Sequence, residues 1–195
     1  MIEAVNDELY LVESGIGKAN AAATAAWLCD KIQPELIINT GTTGSFRSEF
    51  ALGDVIYSDK FVYSDVDATG FGYAFGQVPQ MPAEYPVAEE LLAKIAAVLK
   101  ANEITAHLGT IVTTDSFMSS PEAIAAIRAA FPTIAAADME GAAIAQIASF
   151  YEIPIINVRG ISDHVGDSAP ETFDNTVDFA AAQAFQAVAA LLPTL

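Results

Sequence analysis

Four polar segments that could carry chemistry each follow an apolar run typical of a β-strand. They comprise residues 41–45, 113–118, 138–140 and 159–163. Ligands of open α/β sheets bind beyond the carboxyl ends of the strands, so we expect these segments to lie close together. They supply carboxylates, one guanidinium, hydroxyls, backbone amides, an aromatic ring and two thioethers. This mixture of groups suits a site for a nucleoside.

The elements that position these segments alternate between Val/Ile/Leu-rich runs and Ala-rich runs of helical spacing, which predicts an α/β fold. The predicted strands are residues 8–12, 36–40, 53–57, 60–63, 108–113, 134–138 and 155–158. The predicted helices are residues 19–31, 86–100, 140–151 and 173–192, with another that begins at Ser120-Pro121-Glu122. Glycines in residues 41–45 predict a loop there, and residues 65–86 form the longest predicted loop.

The first residues of the sequence predict a β-hairpin. Residues 1–5 and 8–12 are its two arms, joined through Asn6 and Asp7. A doubly wound α/β domain usually begins with a complete central strand, whereas this sequence begins with a short arm. We therefore expect strands of the N-terminal part of the fold to be missing.

The composition excludes several classes of function. The 195 residues, of which 53% are hydrophobic, suit one domain spanning residues 1–195. The net charge of −17 would repel nucleic-acid backbones and anionic membrane surfaces. No apolar run approaches the roughly 18 residues that cross a bilayer, and the acidic first residues do not resemble a secretory signal. The acidic first residues therefore predict a cytoplasmic protein. The single cysteine, Cys29, cannot form an internal disulfide, and we predict that it is a buried, inert thiol.

Five motifs occur in an order and spacing that resembles one enzyme family. They are Ser14-Gly15-Ile16-Gly17-Lys18, Asn39-Thr40-Gly41, Phe71-Gly72-Tyr73, Met139-Glu140 and Arg159-Gly160-Ile161-Ser162-Asp163. Together they resemble the 5′-methylthioadenosine/S-adenosylhomocysteine nucleosidases over essentially the whole chain. The resemblance implies a three-layer nucleoside phosphorylase-like fold, in which helices flank a central mixed sheet. It also implies a purine thionucleoside substrate, hydrolytic release of adenine in methionine salvage, a homodimer, and no metal or organic cofactor.

The same resemblance implies three catalytic residues. Asp163 corresponds to the acid that protonates adenine N7, so that the base leaves as a neutral molecule while positive charge builds on the ribose. Burial should raise the pKa of such an acid. Glu140 corresponds to the glutamate that accepts hydrogen bonds from the ribose hydroxyls. Arg159 would help to hold the attacking water.

Nine further positions would contact the substrate by the same resemblance. Ser162 would orient the acid or the base, and Thr42 stands near the ribose, where the family commonly has serine. Met139 would pack on the sugar, Phe117 would stack on adenine, and the backbone of Met118 would meet the edge of the base. The remaining positions are Ala68, Phe71, Tyr73 and Phe173. Of these, positions 68, 71 and 73 lie in the long loop, which in the family closes over the 5′-thio group in the neighbouring subunit's site.

One motif of the family has no counterpart in this sequence. The nucleosidases carry near their N-terminus a Gly-x-Met-x-Glu-type stretch whose glutamate activates the water, and Glu3 does not align with it. Two alternatives therefore stay open, a nucleoside-binding protein with impaired catalysis and a purine nucleoside phosphorylase. Phosphorylases typically place an arginine near the position of Asn39 to bind phosphate, so Asn39 favours hydrolysis. A dimerisation module without a nucleoside site is a third alternative.

Ordinary structural roles would also account for several of these residues. Asp163 could cap a turn, Glu140 could favour the positive end of a helix, and Phe117 and Met118 could belong to the core. The Gly15-x-Gly17-Lys18 pattern lacks the full spacing of a phosphate-binding loop and its Ser/Thr. It therefore does not predict binding of a nucleoside triphosphate.

Overall fold

A mixed β-sheet with helices packed against it organises the chain, which the computed structural model describes over residues 1–166 and 168–195. Two short strands come first, β1 (Ile2–Ala4) and β2 (Tyr10–Val12). The sheet contains β3 (Ile37–Ser45), β4 (Val55–Tyr63), β5 (Tyr85–Pro86), β6 (Ala106–Thr113), β7 (Ile134–Asp138) and β8 (Ile155–His164). The helices are α1 (Lys18–Lys31), α2 (Glu89–Ala101), α3 (Pro121–Ala130), α4 (Gly141–Phe150) and α5 (Ala169–Leu191). The predicted α/β class is confirmed.

The strand order brings four carboxyl ends of the sheet together. The order is β5-β4-β6-β7-β3-β8, and β4 also pairs with β8, so five strands close into a ring. Strand β8 runs parallel to β3, and β7 runs parallel to β6. Strands β3 and β7 are antiparallel but pair only near their carboxyl ends, where Gly44 lies opposite Ala137. The ends of β3, β6, β7 and β8 therefore meet in one region, as the sequence predicted for its polar segments.

A bulge in β8 interrupts the strand at this region. Thr43 of β3 lies opposite Ile161, but the next residue, Gly44, lies opposite Asp163. Ser162 is thus the extra residue of β8. Bulges of this kind change the direction of the side chains that follow them and are frequent beside active sites. The bulge therefore sets where the Asp163 carboxyl lies.

Apolar contacts on both sides of the strands hold the ring in place. Ile56, Ile111 and Ile161 pack together with Ala135 and Ala136 of β7. The largest core cluster combines apolar residues of β4, β8 and the helices α1, α2, α4 and α5. Because α1 and α4 face each other with alanines, their backbones can approach closely. No helix in the described ranges is long and apolar enough to cross a lipid bilayer.

The loop predicted at residues 41–45 is wrong, and both β3 and β8 are longer than the sequence indicated. Residues 41–45 belong to β3, and residues 159–163 belong to β8. The two strands pair in parallel from Ile37 opposite Ile155 to Ser45 opposite His164, which satisfies the backbone groups of both segments. The candidate residues in these segments therefore lie within the sheet and not beyond it.

The other predicted elements are confirmed with shifted ends. The predicted strands at residues 53–57 and 60–63 are one strand, β4. Helix α2 begins at Glu89 and not at Pro86, because Pro86 pairs with Lys60 in the short strand β5. Helix α3 begins at Pro121, as predicted, and Ser120 caps it by accepting a hydrogen bond from the Ala123 amide.

The predicted N-terminal hairpin is also present. Strand β1 pairs with β2 in antiparallel register, with Ile2 opposite Val12 and Ala4 opposite Tyr10. The two strands form a separate two-stranded sheet. Leu11 of β2 is 59% exposed, so the hairpin adds little to the apolar core.

Substitution of Gly160 should destabilise the fold strongly. A Cβ at Gly160 would lie 2.0 Å from the Ala180 carbonyl oxygen of α5, so Gly160→Ala must push the helix away from β8. We expect it to lower the free energy of unfolding by about 1–3 kcal/mol or more, measured by urea denaturation. The control is Gly70→Ala, since no atom lies within 4 Å of a Cβ placed there. Equal stability of the two variants would contradict the close packing of α5 on β8.

Candidate active site

The guanidinium of Arg159 is the centre of the candidate site. Its Nη2 donates to Glu140 Oε2 at 2.9 Å, and its Nη1 donates to the Thr42 carbonyl at 2.8 Å. Its Nε donates to Asn157 Oδ1 at 3.0 Å and lies 3.2 Å from Asp138 Oδ2. The side chain is only 6% exposed. One buried cation therefore joins β3, β8, the end of β7 and the start of α4.

The Asp138 carboxylate forms an ion pair with this cation, and its side chain is fully buried. It accepts hydrogen bonds from Thr113 Oγ1 at 2.6 Å, Asn157 Nδ2 at 2.8 Å and the Gly141 amide at 3.2 Å. A buried carboxylate needs such partners because desolvation is costly. Gly141 is required here, since a Cβ would lie 2.6 Å from Asp138 Oδ2. Asp138 thus joins the start of α4 to β6 and β8.

Both carboxylate oxygens of Glu140 have fixed partners. Oε2 accepts from Arg159, and Oε1 accepts from the Gly17 amide at 3.1 Å. The side chain is 12% exposed. Each carboxylate oxygen can accept about two hydrogen bonds, so lone pairs remain for a ligand that reaches the exposed side. Glu140 is thus held in one orientation before any ligand binds.

Asp163 lies near the carboxyl end of β8 in a different environment. It is 2% exposed, and Ser162 Oγ donates to its Oδ1 at 2.7 Å. Gly44 leaves room for it, because a Cβ at that position would lie 2.9 Å from Asp163 Oδ2. Burial raises the pKa of Asp163, although the hydrogen bond from Ser162 and the nearby His164 act in the opposite direction. The carboxyl group therefore keeps a proton to higher pH than an exposed aspartate does.

Phe117 and Phe173, two aromatic residues predicted to contact the substrate, pack against each other. The rings of Phe117 and Phe173 meet edge to face, with centroids 5.9 Å apart, and Phe117 is 44% exposed. Met118 is buried in a core cluster with Phe46, as its ordinary structural role would require. The Met118 carbonyl already accepts a hydrogen bond from the Gly166 amide at 3.0 Å. Phe117 is therefore the better placed of the two neighbours for stacking on a base.

The three predicted residues of the long loop differ in their exposure to solvent. Residues 69–71 form a single 3₁₀ turn, and the Phe71 ring is 88% exposed. Ala68 and Tyr73 are half-buried. Met139 is also half-buried, and it lies in the chain between Asp138 and Glu140, two residues of the site. The structure therefore brings together the predicted catalytic residues with Thr42, Met139 and Ser162, but it leaves Phe71 facing solvent.

Sequence reasoning gave no individual role to four groups that hold the site, although Thr113 and Asp138 lie in two of its polar segments and Gly17 lies in one of its motifs. Thr113, Asp138 and Asn157 surround the Arg159 side chain or its partners, and the Gly17 amide binds Glu140. Asn157 gave a usable signal, since it interrupts the apolar run Ile155-Ile156-Asn157-Val158. Asp138 also gave one, because it is the first polar residue after a run of small apolar residues. Gly17 gave none, because its backbone amide does the binding.

The raised pKa of Asp163 predicts a pH-dependent cost in stability. The folded chain binds this proton more tightly than the unfolded chain, so the contribution of Asp163 is largest below its unfolded pKa of about 3.9 and is lost as the pH rises through its folded pKa. Asp163→Asn cannot ionise, and its amide oxygen can still accept from Ser162. We therefore expect the variant to gain stability over the unaltered chain as the pH rises above about 4, measured by urea denaturation at several pH values. Asp178→Asn, at an exposed position of α5, is the control; a parallel pH course for both variants would contradict the assignment.

Comparisons with known proteins point to one family. The phosphorylase superfamily matches residues 2–195. The 5′-methylthioadenosine/S-adenosylhomocysteine nucleosidase of Listeria monocytogenes serotype 4a (strain HCC23) is 43% identical, over 99% of this chain and 84% of that protein. The S-adenosylhomocysteine nucleosidase of Streptococcus pyogenes, solved in complex with 5-methylthiotubericidin, is 41% identical with a TM-score of 0.91, over 96% of this chain and 79% of that chain.

A further solved structure agrees. The 5′-methylthioadenosine/S-adenosylhomocysteine nucleosidase of Neisseria meningitidis, in complex with methylthio-immucillin-A, has a TM-score of 0.92 and 37% identity, over 95% of this chain and 81% of that chain. These comparisons confirm the resemblance carried by the five motifs, and with it the nucleoside phosphorylase-like fold with helices flanking a mixed sheet. The chain belongs to the phosphorylase superfamily and, within it, to the 5′-methylthioadenosine/S-adenosylhomocysteine nucleosidase family.

Proposed function

We propose that this protein hydrolyses the N-glycosidic bond of 5′-methylthioadenosine and S-adenosylhomocysteine and releases adenine, as the names of its relatives state for them. One observation carries the proposal. A buried acid with a raised pKa, Asp163, lies near the carboxyl end of β8, and a carboxylate fixed by a guanidinium, Glu140, follows β7; strand β3 lies between these two strands. Glycoside hydrolysis needs these two kinds of group, one to give a proton and one to face developing positive charge.

Departure of the base is the step assigned to Asp163. Its carboxyl donates a proton to adenine N7 as the bond between C1′ and N9 breaks, and the bonding electrons leave with the base. Adenine then departs as a neutral molecule and not as an anion. This step needs a protonated carboxyl, and burial favours that form of Asp163 by raising its pKa. Ser162 holds the carboxyl through Oδ1, while Phe117 offers an exposed ring for stacking on the purine.

Stabilisation of the ribosyl cation is the step assigned to Glu140. Its carboxylate accepts hydrogen bonds from the ribose hydroxyls and faces the positive charge that develops at C1′. Arg159 and the Gly17 amide hold it, so little reorganisation is needed during the reaction. Met139 precedes Glu140 in the chain, and the Thr42 carbonyl accepts a hydrogen bond from Arg159. These two residues would supply an apolar surface and a hydroxyl next to the sugar. Water then adds to C1′, and the proton that it releases restores the Asp163 carboxyl.

Hydrolysis is better supported than phosphorolysis. A phosphate dianion needs a cation with free donors, and the Arg159 guanidinium already donates to Glu140, Thr42 and Asn157. Asn39, at the position where phosphorylases typically place an arginine, is a neutral side chain and 8% exposed. The site thus provides little to hold phosphate against the net charge of −17.

The proposal includes a homodimer in the cytoplasm. The long loop presents Phe71 with 88% of its surface exposed, beside the half-buried Tyr73. Aromatic residues are enriched in protein–protein interfaces relative to the rest of the surface. A second copy of the chain would cover this ring and place it next to the 5′-thio group in the neighbouring site. The free, buried Cys29 suits that location, where thiols stay reduced.

Adenine release by the complete chain tests the proposed reaction. We expect Asp163→Asn to lower the rate of release from 5′-methylthioadenosine by about 10²-fold or more, because general-acid catalysis contributes on the order of 10² to 10⁴. Nucleoside binding, measured by calorimetry, should survive, because the amide keeps the shape of the carboxyl. Asp178→Asn is the control for loss of an acidic charge and should leave the rate unchanged.

The sugar product distinguishes the remaining alternatives in the same assay. Hydrolysis gives free 5-methylthioribose with or without inorganic phosphate, whereas phosphorolysis needs phosphate and gives the sugar 1-phosphate. Binding of the nucleoside with no release of adenine by the unaltered chain would identify a binding protein and overturn the proposed reaction. Failure to bind any purine nucleoside would leave only the dimerisation module.

The dimer has its own test. Sedimentation should give twice the chain mass of 20.5 kDa. We expect Phe71→Ser to weaken the dimer and to raise the KM for 5′-methylthioadenosine, because it removes an apolar surface from the shared site. Phe185→Ser, which removes a 67% exposed ring from α5, is the matched control. A monomeric chain, or equal effects of both substitutions, would contradict the role given to the loop.

A further inference from the structure

The start of helix α1 is bound by carboxylates from two distant segments. Helix α1 begins at Lys18 after Gly17, which has no side chain to cap it. The Gly17 amide donates to Glu140 Oε1 at 3.1 Å, and the Lys18 amide donates to Asp115 Oδ1 at 2.8 Å. Two carboxylates thus satisfy amides that a helix leaves unpaired at its positive end. The Ser14-Gly15-Ile16-Gly17-Lys18 motif, which does not form a phosphate loop, serves this purpose.

The Lys18 side chain extends the same connection. Its Nζ lies 2.7 Å from Asp65 Oδ2 and 3.7 Å from Asp115 Oδ2, and it stands 5.6 Å from the centroid of the Tyr63 ring. Asp65 Oδ2 also accepts a hydrogen bond from the Asp115 amide at 3.0 Å. The side chains of Lys18 and Asp65 are 24% and 25% exposed. We call Lys18, Asp65 and Asp115 the Lys18 cluster.

Each member of the Lys18 cluster stands beside a different part of the proposed site. Asp65 begins the long loop, three residues before Ala68. Asp115 lies two residues before Phe117. Lys18 follows Gly17, whose amide holds Glu140. The cluster therefore joins the segments that would hold the base and the ribose of one site to the loop that would reach the 5′-thio group of the neighbouring site.

We propose that Lys18 is a positioning residue that holds the long loop and the Phe117 segment in the orientation that binds substrate. This inference rests on the proposed function, since it concerns the same site. Lys18 does not touch the reacting atoms. Its charge attracts Asp65 and Asp115 at once and so holds together two loops whose carboxylates would otherwise repel each other.

Lys18→Met tests this role because it keeps the length of the side chain and removes the charge. We expect KM for 5′-methylthioadenosine to rise about fivefold, the size of effect that partly exposed ion pairs give. The kcat should stay within about twofold, because Asp163 and Glu140 keep their own partners. Added salt should narrow the difference in KM between Lys18→Met and the unaltered chain, because it screens the charges that only the unaltered chain has.

Three further variants give this test its controls. Lys31→Met removes a charge from the exposed last turn of the same helix, where Lys31 pairs with Asp30, and should leave KM unchanged. Lys18→Arg should restore most of the KM. Asp65→Asn should raise KM as Lys18→Met does, and the double variant should be no worse than either single one.

Hydrogen exchange of the ligand-free chain separates this proposal from the proposed function. Lys18→Met should speed amide exchange in residues 65–77 and 114–119 and leave β3 and β8 as they are. Faster exchange in a chain that releases no adenine would support the cluster while the reaction fails. An unchanged KM with unchanged loop exchange would overturn the proposal, and so would a loss of overall stability with no change in KM.

Discussion

The contact between the Arg159 guanidinium and two acidic side chains is the interaction on which the rest of the site depends. The chain carries 25 acidic and 8 basic Lys/Arg residues, and one of those cations lies 94% buried between Asp138 and Glu140. Removal of one partner from a buried ion pair typically costs about 3–5 kcal/mol, because a charge is left without compensation. The closed ring of strands is what allows this burial, since it brings β3, β7 and β8 around one side chain. The fold and the ion pair thus require each other.

The three carboxyl groups at this end of the sheet differ in their surroundings, and this difference suits them to different tasks. The Asp138 side chain has no exposed surface, and its carboxylate accepts hydrogen bonds from several donors, so its role is structural. Glu140 is held on both oxygens but keeps an exposed side, so it can face a ligand. Asp163 is separated from the guanidinium by the bulge at Ser162, and its burial raises its pKa. The carboxyl ends of these strands thus offer both a fixed negative charge and a proton donor.

The proposed catalytic residues and the proposed substrate-contacting residues lie in different parts of the fold. The proposed catalytic side chains lie on or directly beside β7, β8 and the start of α4, where the backbone is fixed by strand pairing. The proposed contacts with the ends of the substrate lie in loops that the partly exposed Lys18 cluster joins. Groups that stabilise a transition state must be placed closely, whereas loops must open for entry and release. The distribution of residues follows that requirement.

The sequence by itself determined the α/β class, most of the elements, the N-terminal hairpin and the family, because each depends on local periodicity or on short motifs. It pointed to Asp163, Glu140 and Arg159 only through resemblance. The tertiary structure alone decided that residues 41–45 and 159–163 are strand, because that depends on pairing between segments about 120 positions apart. It also decided what surrounds Arg159 and Lys18, since the Gly17 amide meets Glu140 across 123 positions. Burial, pKa and hydrogen-bond partners arise from such distant contacts, and no local pattern in the chain records them.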